Sequence, residues 1–288
     1  MFEADPHPHL VPFNESFRIA ATPTAPTDDR DAKAWKGRLE KATKELGAWQ
    51  DRLYADGRYA VLFVFQAIDA AGKDGTIRHV FDGVNPCGLR VASFKQPSRV
   101  EVAHDFLWRS TLELPRRGEI GVFNRSYYEE VLVVRVHPEL LAAQRLDTKP
   151  NAELWSNRLR SIVEYERHLA TQGTVIVKFF LNMSKDEQRD RLLARLDEAD
   201  KLWKFNVADL AERDRWADYQ DAYERCLNAT SKPWAPWYAI PADDKHYMRS
   251  QVASVVNETF ERLDVKYPEP RGEQLRELKA ARAKLAAE

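Results

Sequence analysis

The stretch Ala60–Arg78, AVLFVFQAIDAAGKDGTIR, opens as an unbroken apolar run, gives way to small residues around one aspartate, and then sets Gly-Lys where a helix would start. A run such as Val61–Phe65, apolar without alternation, reads as a parallel strand buried on both faces. Beyond it Ala67, Ala70, Ala71 and Gly72 let successive backbone N–H groups curl around an anion at the positive end of the following helix. Lys73 adds a mobile positive charge for outer phosphate oxygens. The loop departs twice from the pattern G-x-x-x-x-G-K-[ST], with Ala67 at the first glycine and Asp74 at the Ser/Thr position. An ordinary strand-to-helix turn is the alternative, but the motif falls where a strand, a turn and a helix are each expected independently.

Working outward, Lys33–Tyr54 carries Trp35, Leu39, Ala42, Leu46, Trp49 and Leu53 at alternating spacings of four and three, one apolar stripe on a helix. It would pack on the domain or on a second subunit, so homo-oligomeric assembly is expected with this helix as a candidate interface. Residues 1–32, with TPTAPTDD and no periodicity, read as an extended N-terminal arm rather than a packed element, with His7 and His9 solvated. Further strands are expected at Leu89–Phe94, Ile120–Phe123, Thr174–Leu181 and Trp237–Ile240. Helices are expected at Thr76–Val84, Val102–Leu114, Asn151–Ala170 and Lys245–Leu263. Five strands separated by helices imply parallel pairing with right-handed crossovers, an α/β fold built as a three-layer α/β/α sandwich on a five-stranded parallel sheet. Residues 33–270 form this domain, and residues 271–288 a charged C-terminal tail.

The net charge of −1 gives no bulk argument for nucleic acid or membrane partners, so any anion site must be built locally. Cys87 and Cys226 cannot form a disulfide framework and read as buried small hydrophobes. No apolar run approaches a membrane span, and a cytoplasmic location is expected.

Asp69 inside the loop would be repelled by phosphates unless a divalent cation stood between them; capping the helix is its structural alternative. The third strand ends in Asn124-Arg125, followed by Glu129 and Glu130, at the carboxyl edge where open parallel sheets bind ligands. Arg125 and Arg135 could each meet phosphate oxygens or form surface ion pairs. After the fourth strand, Ser184-Lys185-Asp186-Glu187 reads as a capping box. It opens a helix with Gln188, Arg191 and Arg195 on one face. With Lys201 and Lys204 beyond, the segment of about 183–215 reads as a basic helical lid that excludes water. A solvated face balanced by Asp190, Asp197, Glu198 and Asp200 is the other reading.

Taken together, DAAGKDGTIRHV at 69–80, FNRSYYEEVLVVRVHPE at 123–139, KFFLNMSKDEQRDRLLARL at 178–196 and KLWKFNVADLAERDRWADY at 201–219 make the chain resemble the second family of polyphosphate kinases, within it the class acting on nucleoside mono- and diphosphates. The resemblance runs from about residue 33 to 270, and both departures from the generic loop are tolerated in that family. It implies a P-loop kinase-like fold with a helical lid. The activity it implies is reversible transfer of the terminal phosphate of inorganic polyphosphate to adenine or guanine nucleotides, with Mg²⁺ or Mn²⁺. By the same resemblance Asp69, Lys73, Asn124, Arg125 and Glu130 are the catalytic candidates. Residues 70–75 (Ala70, Ala71, Gly72, Lys73, Asp74, Gly75) with Arg125, Arg135, Arg191, Arg195 and Lys204 would bind phosphate, and Asp69, Glu129 and Glu130 the metal. Family members acting on monophosphates read Tyr-Glu-Asp where this chain reads Tyr128-Glu129-Glu130. An ATP-dependent nucleoside monophosphate kinase and a non-catalytic nucleotide- or polyphosphate-binding module are the alternatives.

Overall fold

A computed structural model describes residues 1–288 apart from the Lys204 side chain, and the expectation for Lys204 therefore lies outside the described residues. In chain order the elements are α1 Ala32–Asp56, β1 Ala60–Gln66, α2 Lys73–Val80, β2 Leu89–Ser93, α3 Arg99–Val102, α4 Trp108–Thr111 and β3 Ile120–Asn124. They continue with α5 Val133–Val136, α6 Leu141–Gln144, α7 Ala152–Thr171, β4 Thr174–Asn182, α8 Lys185–Asp197, α9 Ala208–Asp214, α10 Trp216–Thr230, β5 Trp237–Pro241, α11 Lys245–Leu263 and α12 Gly272–Leu285. The strands form one sheet in the order β2-β3-β1-β4-β5, and every pairing is parallel.

The order explains the apolar runs. β1 lies between β3 and β4, so all seven of its residues are buried, whereas β2 is an edge strand and exposes Arg90 and Val91. From β1 the chain crosses to the edge strand β2 and returns through β3, then passes to β4 on the other side of β1, and such a switch point opens a crevice at the carboxyl ends of the strands. The loop after β1 spans that crevice.

Helix α1 starts at Asp31, whose side chain accepts from the Ala34 N–H, and ends at Gly57 in the left-handed region. Its stripe of Trp35, Leu39, Leu46 and Leu53 is buried, and it packs on α11 of the same domain.

Three expectations are corrected. The Val102–Leu114 helix is replaced by the short α3 and α4; Asp105 accepts from the Leu107 N–H, a turn that competes with helix continuation. The N-terminal arm is extended but packed. Val11 N–H donates to Trp237 O at 2.9 Å and Ala239 N–H to His9 O at 2.8 Å, which covers the β5 edge. His9 is buried beside Tyr247, its Nε2 3.1 Å from the hydroxyl, and burial pushes its pKa down to about 4. His7 packs edge-on against Tyr238. Cys226 is buried and its thiol is pushed up to about 12, but Cys87 is exposed in the turn before β2.

Candidate active site

The loop after β1 turns through two residues in the left-handed region, Ala70 at φ 67° and Gly72 at φ 94°. An alanine pays a steric cost there that glycine does not, so something must hold the loop in place. Its carbonyls show what does. Lys73 Nζ donates to Ala67 O at 2.6 Å and to Ile68 O at 3.4 Å. Gln188 Nε2 donates to Asp69 O at 3.1 Å, and Arg191 to Ala70 O at 3.3 Å and Ala71 O at 2.9 Å. Thr76 Oγ1 reaches Gly72 O at 3.0 Å. Every carbonyl from 67 to 72 thus has a donor, while the first N–H groups of α2 have no partner within the helix and are free for an anion.

Beside the loop, β3 pairs with β1 so that Asn124 lies opposite Phe65, and Arg125 N–H donates to Phe65 O at 3.0 Å. This register brings the two polar groups together. Arg125, itself left-handed at φ 61°, donates to Asp69 at 2.9 Å and lies 3.5 Å from Glu129. Asn124 Nδ2 donates to Asp74 Oδ1 at 2.5 Å, joining the end of β3 to the first turn of α2. Behind them, with its amide oriented to satisfy its neighbours, buried Gln66 donates to Glu129 at 2.9 Å and accepts from the Ser126 N–H at 3.1 Å.

The charges are interdependent. Burial and the Arg125 charge push Lys73 down to about 8 against the pull of Asp69, Glu129 and Asp74. Burial likewise raises the Glu129 carboxyl, opposed by Arg125 and Lys73. Arg125 is raised, because Glu129 and Asp69 outweigh its own burial. Asp69 and Arg125 keep 39% and 38% of their side chains exposed, enough to meet a ligand.

These groups line an open cavity of about 1070 Å³. Residues 69–75, Asn124, Arg125, Arg191 and Arg195 border it, with Lys95 from the β2 side, Lys201, Trp203 and Phe205 from the segment after α8, and Lys245 from α11.

Two candidates are placed elsewhere and one has other partners. Glu130 is buried, paired with Arg158 at 2.9 Å and accepting from Gln144 at 2.7 Å, so it does not join the carboxylates at the loop. One residue along the 3₁₀ turn Tyr127–Glu130 moves a side chain to another side, and the apolar surroundings of α7 demand a partner for it there. Arg135 lies over the Trp155 ring and 3.8 Å from Asp221, away from the cavity. Arg191 borders the cavity, but its guanidinium is engaged: besides the loop it meets Glu187 at 2.6 Å and donates to Ala242 O at 2.6 Å. Glu187 therefore faces Arg191, while Ser184 still caps α8 by accepting from the Glu187 N–H. Arg195 borders the cavity 3.4 Å from Asp209.

The sequence model of the family Polyphosphate kinase 2 (PPK2) matches residues 29–268. The chain belongs to the polyphosphate kinase 2 family. It is 55% identical over 252 residues to a protein of Rhodopseudomonas palustris named ADP-polyphosphate phosphotransferase, covering 86% of each chain. It is 48% identical over 250 residues to one of Meiothermus ruber named AMP/ADP-polyphosphate phosphotransferase, covering 84% of this chain and 90% of that one. The crystal structure of polyphosphate kinase 2 from Arthrobacter aurescens superposes with a TM-score of 0.89 at 35% identity, covering 100% of this chain and 99% of that one.

In this polyphosphate kinase 2 family member, a second buried network supports the turn after β3, and sequence reasoning passed it over. Lys178 Nζ donates to Glu166 at 2.5 Å, to Tyr128 Oη at 3.0 Å and to Thr230 O at 2.8 Å. The hydroxyls of Tyr127 and Tyr128 donate to the other Glu166 oxygen at 2.8 and 2.7 Å. All four side chains are buried, so the turn that carries Arg125 and Glu129 rests on a satisfied ionic core. The signal was present: Lys178 interrupts the apolar strand TVIVKFFLN, and a charge there requires a partner.

Proposed function

We propose that this chain is a polyphosphate-dependent nucleotide kinase that transfers the terminal phosphate of inorganic polyphosphate to AMP and ADP, giving ADP and ATP, with guanine nucleotides as further acceptors. The convergence of Lys73, Asp69, Asn124 and Arg125 on one cavity at the carboxyl ends of β1 and β3 carries this reading. The names of the relatives give the donor and acceptors.

In the step itself an acceptor phosphate oxygen attacks the terminal phosphorus, the P–O bond to the bridging oxygen breaks, and the donor leaves one phosphate shorter. Such a reaction needs positioning and charge neutralisation more than covalent help. The N–H groups at the start of α2 and the Lys73 ammonium would hold the donor's end. Arg125, released from Asp69, would neutralise the oxygens of the transferred group with its planar fork. Glu129, fixed by Gln66, would keep Arg125 oriented.

The donor set fits Mg²⁺, with Mn²⁺ as a substitute. Among the described residues no group of three or more His, Cys, Asp or Glu side chains could cage an ion. Asp69, Asp74 and the Asn124 amide nevertheless border the cavity. One or two carboxylates completed by waters and substrate phosphates is the manner in which Mg²⁺ is commonly held. Asp69 would hold it, with Asp74 and Asn124 ordering its waters, and the ion would neutralise charge between donor and acceptor.

The segment after α8 would act as the lid, hinging beyond Arg191, which is tied to the loop. No helix among the described residues is long and apolar enough to cross a membrane, in keeping with the cytoplasmic location we propose. The test is Lys73→Ala and Asp69→Asn: each is expected to lose polyphosphate-dependent phosphorylation of AMP by at least about 10²-fold while keeping the wild-type circular dichroism spectrum. Wild-type-like turnover in either would sink the assignment.

A further inference from the structure

The donors that hold the loop after β1 divide its carbonyls among them. Lys73 takes those of Ala67 and Ile68, Arg191 those of Ala70 and Ala71, and Thr76 that of Gly72. The carbonyl of Asp69, whose carboxylate meets Arg125, is left among the described residues to Gln188, whose Nε2 donates to it at 3.1 Å. A side-chain amide turns readily about its terminal bond, so it points one way only while both of its ends are engaged. The other end of Gln188 is engaged by Arg213, whose Nη1 donates to Gln188 Oε1 at 3.0 Å and to Lys185 O at 2.5 Å.

Gln188 is buried on α8, but Arg213 belongs to α9, within the segment read as the lid. None of the residues of α9 is buried. Asp209, Glu212 and Arg213 stand three and four residues apart on one face of it, and that face meets the domain through polar groups. Asp209 lies 3.4 Å from Arg195, and Glu212 lies 2.9 Å from His137 Nε2 and accepts from Tyr219 Oη at 2.6 Å. Half-exposed polar contacts are individually weak, so a helix that rests on them can leave and return without opening the core. Behind Asp69 a narrow cavity of about 40 Å³ is bordered by Asp69, Arg125, Glu129, Gln188 and Glu212, which brings α9 within reach of the reacting groups.

We propose that Gln188 and Arg213 are a positioning pair: seated α9 holds the Gln188 amide through Arg213, and the amide fixes the Asp69 carbonyl and with it the carboxylate beside Arg125. The inference rests on the reading of Asp69 as a group of the phosphoryl-transfer site. It ties the seating of α9 to the chemical step and not to donor binding. Lys73, the N–H groups at the start of α2 and the carbonyls held by Arg191 keep their places without Gln188. With α9 unseated, a bound donor faces a misplaced Asp69, so transfer waits until water has been shut out.

The test uses the full chain with Gln188→Met, Arg213→Met and the two combined. KM and kcat for long-chain polyphosphate are measured at saturating AMP and Mg²⁺, and amide hydrogen exchange is followed without substrates. Gln188→Met is expected to lower kcat about tenfold and Arg213→Met about fivefold, each with KM for polyphosphate unchanged. If Arg213 acts through Gln188, the combined variant falls no further than Gln188→Met, about tenfold, whereas independent roles would multiply to about fiftyfold. Exchange across residues 67–72 is expected to quicken in Arg213→Met while that of β4 stays as in the wild type, a readout that needs only the variant on a helix without buried residues. Multiplied effects, a raised KM with kcat unchanged, or loop exchange in Arg213→Met equal to the wild type would each overturn the coupling. A wild type with no polyphosphate-dependent turnover at all would instead overturn the function on which it rests.

Discussion

Arg191 donates to four main-chain carbonyls, two in the loop after β1 and two after β5, at Ala242 and Asp243, and ties them to α8. These bonds support reading it as a residue that positions the loop. Arg191→Met is expected to lower kcat with polyphosphate by at least about tenfold and to destabilise the fold by roughly 3 kcal/mol, because Glu187 and the carbonyls lose a buried partner. Arg191→Lys should recover part of the stability and little of the rate, which denaturant unfolding and steady-state kinetics would separate. Lys73 supplies a pH signature. With its pKa held down at about 8, the free enzyme loses the cation as the pH rises through that value. Bound phosphate favours the charged form, so donor affinity should be flat below pH 8 and fall above it, approaching about tenfold per unit. A KM for polyphosphate that stays constant to pH 9.5 would contradict the placement of Lys73 at the donor. These residues were legible to different degrees. Gly-Lys announces a loop by itself, but a side chain spacing on α8 cannot say whether an arginine meets a ligand or a backbone.

The same limit shows at the level of elements. The turn after β3 was readable as a polar cluster at the carboxyl end of a strand, and the structure places Asn124, Arg125 and Glu129 there. Its last residue faces the other way, because a 3₁₀ turn rotates successive side chains by about a third of a circle. Glu130 pairs with Arg158 in the interior instead. Glu130→Ala is therefore expected to cost about 3 kcal/mol of unfolding free energy, while Asp69→Ala costs little, since Asp69 is half exposed. An Asp69 variant as destabilised as the Glu130 variant would reverse these roles. At this position, which the family resemblance singled out, Glu130 meets Arg158 of α7 and does not border the cavity. All five strands were readable from their apolar runs. The helix expected across Val102–Leu114 failed where Asp105 forms a local turn that sequence periodicity does not register.

For the whole molecule, buried parallel strands, crossover helices and a loop at the carboxyl end of β1 were announced by the sequence, whereas the strand order β2-β3-β1-β4-β5 was not. Nor did it announce the arm. Proline-rich segments without periodicity read as solvated, yet residues 9–11 complete the β5 edge through backbone hydrogen bonds that any side chain sequence could make. Removal of residues 1–31 is expected to lower the melting temperature by about 5 °C and to promote self-association through the bared edge. An unchanged melting temperature would show that the arm does not hold the sheet. The central claim, that the donor is inorganic polyphosphate, concerns the molecule as a whole, and one comparison tests it directly. The purified chain is given AMP and Mg²⁺ with either polyphosphate or ATP as donor at equal phosphate concentration, and ADP and ATP are resolved by chromatography. Turnover with polyphosphate at least about a hundredfold above that with ATP is the expected result; efficient phosphorylation of AMP by ATP with none from polyphosphate would contradict it.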